Sequence, residues 1–165
     1  MKKILPENII DNIFKLIGKD WMLVAAQKDG KVNAMTASWG FGGVMWGKNA
    51  VVVGIRPQRY TKEFVDNGDT FSITILPESY RETMSYFGTV SGRDEDKIAK
   101  TGLTVAHDEN TPYFEEGRLV LICKKMYSQE IKEENFIDKS IIDKWYPNKD
   151  YHMMYVAEII DVLEK

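Results

Sequence analysis

The chain has 165 residues, 44% of them hydrophobic and 28% charged, with a formal net charge of −3 at pH 7. This length suits one domain over residues 1–165 with a sizeable core, and the composition excludes disordered and fibrous classes. The Lys and Arg residues are dispersed, which argues against a nucleic-acid partner, and no run approaches the ~20 apolar residues of a membrane span.

Pro6 and Glu7 arrive before any apolar stretch can develop, so the start does not read as a secretory signal, and a cytoplasmic location is expected. Cys123 lies in the apolar run Leu119-Val120-Leu121-Ile122-Cys123. As the only cysteine it has no internal disulfide partner, and a core position is expected. One cysteine and two distant histidines offer no metal-ligand spacing.

Ile9, Ile10, Ile13, Phe14 and Ile17 recur at helical spacing before Gly18, predicting an amphipathic helix with a glycine stop. Trp21 to Ala26 reads as a strand, and Asp29-Gly30 as a type I′ turn into Asn33-Ala34-Met35-Thr36-Ala37-Ser38-Trp39. With period two, that return strand puts Ala34, Thr36 and Ser38 on one face and Asn33, Met35, Ala37 and Trp39 on the other. The small face leaves space either for a flat polar ligand or for a neighbouring helix or subunit.

Gly40, Gly42, Gly43 and Gly47 surround Phe41, Val44, Met45 and Trp46, marking bends or close backbone approaches. The apolar run Ala50 to Ile55 predicts a strand buried on both faces, ending in Arg56-Pro57-Gln58-Arg59-Tyr60-Thr61. Thr61 is positioned to cap a helix over residues 62–67. With Arg56 and Arg59 beside it, this turn is either an ordinary solvated cap or a phosphate site.

Thr70 to Leu76 alternates as a half-buried strand. Ser79 and Glu82 have capping-box spacing for a helix whose Tyr80, Met84 and Phe87 share a face. In Ser91-Gly92-Arg93-Asp94-Glu95-Asp96-Lys97, Asp94 is expected to cap a helix over residues 95–101, gathering Ser91, Arg93 and Lys97 at its entrance. Further strands are expected over residues 103–107, 118–129 and 151–163, with a helical excursion over 133–145. His152 opens the last strand.

Four of these segments, in this order, resemble the flavin reductase-like family: Asn33 to Trp39, Arg56 to Thr61, Ser91 to Lys97, and Asp150-Tyr151-His152. The resemblance implies a mainly β fold, an FMN-binding split β-barrel of Greek-key type with peripheral helices, and a homodimer. It implies that Asn33, Met35, Thr36, Ala37, Ser38 and Trp39 line the flavin ring and ribityl chain, that Arg56, Arg59, Tyr60, Thr61, Ser91 and Lys97 hold the phosphate end, and that His152 faces the nicotinamide of NAD(P)H. It implies electron transfer from NAD(P)H through FMN to a flavin, another small molecule or a protein acceptor. Two other readings stay open: a flavoredoxin-like carrier reduced by a protein partner, and an anion-binding barrel without redox work. Asp150-Tyr151-His152 departs from the family's Gly-Asp-His in the two residues before the histidine. No GxGxxG turn signals a Rossmann-type site.

Overall fold

In the computed structural model, which describes residues 1–165, the chain is built on antiparallel hairpins. After β1 (Lys2–Ile4) and the single helical turn α1 (Ile13–Lys15) come β2 (Met22–Lys28) and β3 (Lys31–Ala37). Asp29 and Gly30, at φ 50° and 74°, form the turn between them, as the Asp-Gly pair requires. β4 (Gly40–Met45) returns into β5 (Lys48–Ile55) through Trp46 and Gly47, both at positive φ. Then follow α2 (Tyr60–Asn67), β6 (Thr70–Ile75), α3 (Arg81–Thr89), α4 (Lys97–Thr101), the small hairpin β7 (Val105–Asp108) and β8 (Thr111–Phe114), β9 (Leu119–Glu130), α5 (Ser140–Trp145) and β10 (Met153–Glu164).

The large sheet runs β3-β2-β6-β9-β10-β5-β4, with β1 on β10. Its end strands β3 and β4 do not pair, so the barrel is split rather than closed. Consequently one row of β3 backbone N–H and C=O groups has no partner strand. The fold is mainly β, as expected, and no helix is long and apolar enough to cross a membrane.

The interior holds Val24, Met35, Val53, Ile73, Leu121, Cys123 and Tyr155 in one cluster, closed at one side by Phe64 and Val65 of α2. A second cluster lies on the other face of β2 and β3, where Met84 and Phe87 of α3 pack on Leu23, Ala25 and Ala34. Cys123 is fully buried, and burial pushes its thiol well above the ordinary range, which removes it as a nucleophile.

Several local expectations give way to tertiary context. The helix expected over residues 9–17 starts only at Ile13, because the Asn12 side chain accepts the backbone N–H groups of Phe14 and Lys15 at 3.0 and 3.1 Å and caps it there. Beyond α1 the chain continues as a π-helical stretch, Leu16–Asp20, so Gly18 lies inside it and does not stop the helix, and Ile10 and Phe14 are 93% and 83% exposed. Asp96, not Asp94, caps α4, accepting from Ala99 N at 3.0 Å. Ser79 caps nothing, since a 3-10 turn, Glu78–Tyr80, occupies the start it was expected to make. The excursion over residues 133–145 is a short turn followed by α5 rather than one helix. Strands β4 and β8 carry no clear period-two signal, and pairing alone makes them strands.

Candidate functional site

The two halves of the site are carried on one ribbon. Asn33 lies near the start of β3 and Trp39 just past its end, about 20 Å of extended chain apart.

At the Asn33 end, α2 and the loop after α3 converge. Arg59 is the last residue before α2, and it and not Thr61 takes the N-cap position, without a side-chain cap bond. Thr61 points inward, 1% exposed, where its hydroxyl accepts from Asn33 Nδ2 at 2.8 Å and donates to no group of the chain. Gly92 lies against the same amide: a Cβ there would stand 2.1 Å from Asn33 Oδ1. Asn33, Met35, Arg59, Tyr60, Thr61, Ser91, Gly92 and Lys97 line a cleft of about 190 Å³. It adjoins an open one of about 620 Å³ whose lining mixes Lys31, Arg93 and Lys97 with Asp94, Glu95 and Asp96.

The smaller cleft itself is lined by no carboxylate. Lys97, 3% exposed, donates to the Phe87 carbonyl at 3.2 Å. Arg59 donates to the Gly88 carbonyl at 2.6 Å and to that of Phe87 at 3.2 Å. Those carbonyls belong to the last turn of α3, which favours cations through its orphan C=O groups and dipole. Neither cation is ion-paired with a carboxylate; other side chains supply every ion pair of the chain. Burial, and then the neighbouring Arg59 charge, draw the Lys97 ammonium down to about 8. Burial likewise lowers Arg59 from its ordinary value.

At the Trp39 end stands an aromatic cluster. The Trp39 ring lies 4.8 Å from the His152 ring at a tilt of 33°, and 5.0 Å from Trp145 in edge contact. Arg56 is here, apart from Arg59. Its guanidinium donates to Asp150 at 2.5 Å and to the Trp145 carbonyl at 2.8 Å, with Trp39 and Tyr146 rings at 5.9 and 5.2 Å. Gln58 connects the two ends: its amide donates to Asp150 at 2.7 Å while the residue also lines the cleft. His152 is 7% exposed; burial, reinforced by the Arg56 charge and opposed by Asp150, pulls its imidazole down to about 4.

Between the two ends the thin face of β3 is partly filled by the chain itself. Ala34 is sealed under Met84 and Phe87, and Thr36 donates to the Met84 carbonyl at 2.5 Å. Met35 and Ala37 face the main core. Thr36 and Ser38 remain half-buried rather than sealed. Thus Asn33, Met35, Arg59, Tyr60, Thr61, Ser91 and Lys97 meet at one place, and Trp39, Arg56 and His152 at another. Sequence reasoning missed Tyr146 and Trp145, which nothing in their local pattern ties to His152, and the Phe87 and Gly88 carbonyls, which no side-chain motif reports.

A model of the family described as flavin reductase like domain matches residues 15–165. Among solved structures, the chain is similar to flavoredoxin from Methanosarcina acetivorans at a TM-score of 0.72 and 22% identity, covering 100% of this chain and 76% of that one. Flavoredoxin of Desulfovibrio vulgaris (Miyazaki F) gives a TM-score of 0.70 at 24% identity, with coverages of 100% and 77%. An FMN-binding protein from Thermus thermophilus gives 0.69 at 17%, with coverages of 100% and 82%. No match was found among curated proteins.

Proposed function

The chain belongs to the flavin reductase like family, and from that premise we propose that it is an FMN-binding oxidoreductase, taking electrons from NAD(P)H and passing them to a flavin or other acceptor. What carries this reading is the pair Arg59 and Lys97, a half-buried and a buried cation held on helix carbonyls with no carboxylate to neutralise them. Such a pair is costly unless an anion completes it. A phosphate group fits: Arg59 and Lys97 supply charge-assisted donors, and the unused Thr61 hydroxyl proton adds a neutral one.

About 20 Å along the ribbon, the partly exposed Trp39 ring, backed by His152, offers a flat surface to an aromatic ring, and the unpartnered edge of β3 offers backbone donors and acceptors to its polar rim. A ligand with a phosphate at one end and a planar ring at the other matches both ends. FMN, when bound, would supply the hydride-accepting chemistry that no side chain here provides. The chain's own part is to grip the phosphate, orient the ring and keep Arg56 fixed against Asp150 beside it.

The reading includes a homodimer. Ile10, Phe14, Phe41, Val44, Met45 and Trp46 are all exposed, and Ile13 touches the Gly42 position of β4, which joins them into one apolar surface of the kind subunit interfaces cover.

The test is anaerobic titration of the FMN-loaded protein with NADH, NADPH and dithionite. Bleaching of the flavin by a nicotinamide nucleotide supports the reductase. Bleaching by dithionite alone favours a second reading, a carrier reduced by a protein partner, which the likeness to two flavoredoxins supports. Failure to quench FMN fluorescence at all sinks both.

A further inference from the structure

Tyr146 and His152 share a buried hydrogen bond. The phenol oxygen lies 2.8 Å from Nδ1 of the imidazole, and the two residues are 3% and 7% exposed. The Tyr146 ring is wedged between Phe136 and Tyr151, at 5.9 and 4.9 Å. Tyr151 in turn donates its hydroxyl to Glu133 at 2.7 Å. The phenol is therefore held by packing, not left to swing. On the other side of the imidazole, Gly54 leaves room for the ring: a Cβ there would stand 3.3 Å from Cδ2.

Counting donors and acceptors assigns the direction of this bond. A phenol has one proton to give, and Nδ1 is the only acceptor of the chain within its reach. Were Nδ1 to carry the proton and donate, the Tyr146 O–H would be left buried and unpaired, with its full desolvation penalty. With the phenol donating, Nδ1 must be bare and the ring proton must sit on Nε2. That nitrogen has no partner within the chain and is not among the buried unpaired atoms, so it reaches the surface. Arg56 on one side disfavours an imidazolium and Asp150 favours it; burial and Arg56 prevail.

We propose that Tyr146 is a positioning residue for His152, holding the ring as the neutral Nε2–H tautomer so that this N–H is presented outward, beside Trp39 and Arg56, as a hydrogen-bond donor. Taken with the proposed oxidoreductase function, on which this part rests, the N–H receives the carboxamide oxygen of the nicotinamide. A carboxamide needs such a donor, and an imidazolium is not required.

Nitrogen NMR of histidine-labelled, ligand-free protein tests the tautomer without any activity. The expected result is a protonated Nε2 and a bare Nδ1 for His152 at neutral pH, with the Nδ1 resonance shifting when Tyr146→Phe removes its donor while keeping the ring. A protonated Nδ1, or an Nδ1 resonance unmoved in Tyr146→Phe, overturns the proposal. In turnover with FMN and NADH, Tyr146→Phe is expected to raise KM for NADH roughly three- to tenfold with little change in FMN affinity. An unchanged KM overturns the link to the nicotinamide. If the wild-type protein oxidises neither nucleotide, the oxidoreductase reading fails by itself, and the NMR result still decides the role of Tyr146.

Discussion

Arg59 and Lys97 donate to one and the same oxygen, the Phe87 carbonyl, each at 3.2 Å. Two cations brought to a single helix end repel one another, and the α3 terminus offsets only part of that repulsion. The arrangement is unfavourable in the empty protein and favourable once an anion arrives.

Replacing both cations by methionine separates folding from binding. Buried charges exchanged for apolar side chains of similar volume are commonly neutral or stabilising, so thermal unfolding without ligand is expected to hold or rise. FMN affinity is expected to fall by roughly tenfold or more for each lost charged hydrogen bond, at about 1.5–3 kcal/mol apiece. Fluorescence quenching by the protein measures it, and undiminished affinity in a folded double variant would refute the phosphate placement.

Lys97 makes that affinity depend on pH. Its folded value of about 8 lies below the ordinary 10.5, so between those values the unfolded chain holds the proton that the folded one has released. Ligand-free stability therefore gains from this group as pH rises through that window. FMN binding goes the other way, weakening from about pH 7 to about pH 9 as the ammonium is lost. Lys97→Arg should flatten the binding profile; a wild-type profile that is already flat counts against the assignment.

His152 affects stability with the same sign as Lys97, in an acidic window. Its folded value of about 4 is below the ordinary 6.5, so the unfolded chain takes up a proton first and stability falls as pH drops from about 6.5 towards about 4. Melting temperatures across that range should be less steep for His152→Gln than for wild type. Equal slopes would mean the imidazole is not held neutral.

The apolar surface on α1 and β4 predicts a dimer in light scattering. Phe14→Asp with Val44→Asp, both at positions more than 70% exposed, is expected to leave the fold intact and shift the mass to the monomer. A wild-type monomer at working concentration would remove the homodimer from the proposed function.

Local chemistry made much of the chain legible. Asp29-Gly30 permits little besides a tight hairpin, and the apolar run Ala50 to Ile55 has to be covered on both faces, as it is in β5. The turns carrying Arg59, Thr61 and Lys97 read as candidates for anion chemistry because hydroxyl, guanidinium and ammonium types gather in short turns, and the strand carrying Asn33 as a candidate lining for a flat polar ligand. Their individual duties were less so: Thr61 has cap-like character by type, yet the neighbouring Asn33 amide claims its oxygen and moves the helix start to Tyr60.

Arg56 shows where local reading stops. Three residues from Arg59, it turns to the opposite end of the site because Asp150, 94 positions later, lies 2.5 Å from it. The hairpins, the buried strands and the residue types able to meet a phosphate follow from the sequence itself, since turn geometry and hydrophobic period are local properties. Which face of β3 the chain covers with α3, which arginine meets which carboxylate, and that Tyr146 rather than water meets His152 were decided only by the tertiary structure. Those outcomes rest on contacts between distant segments, which exist only once the sheet has brought their strands together.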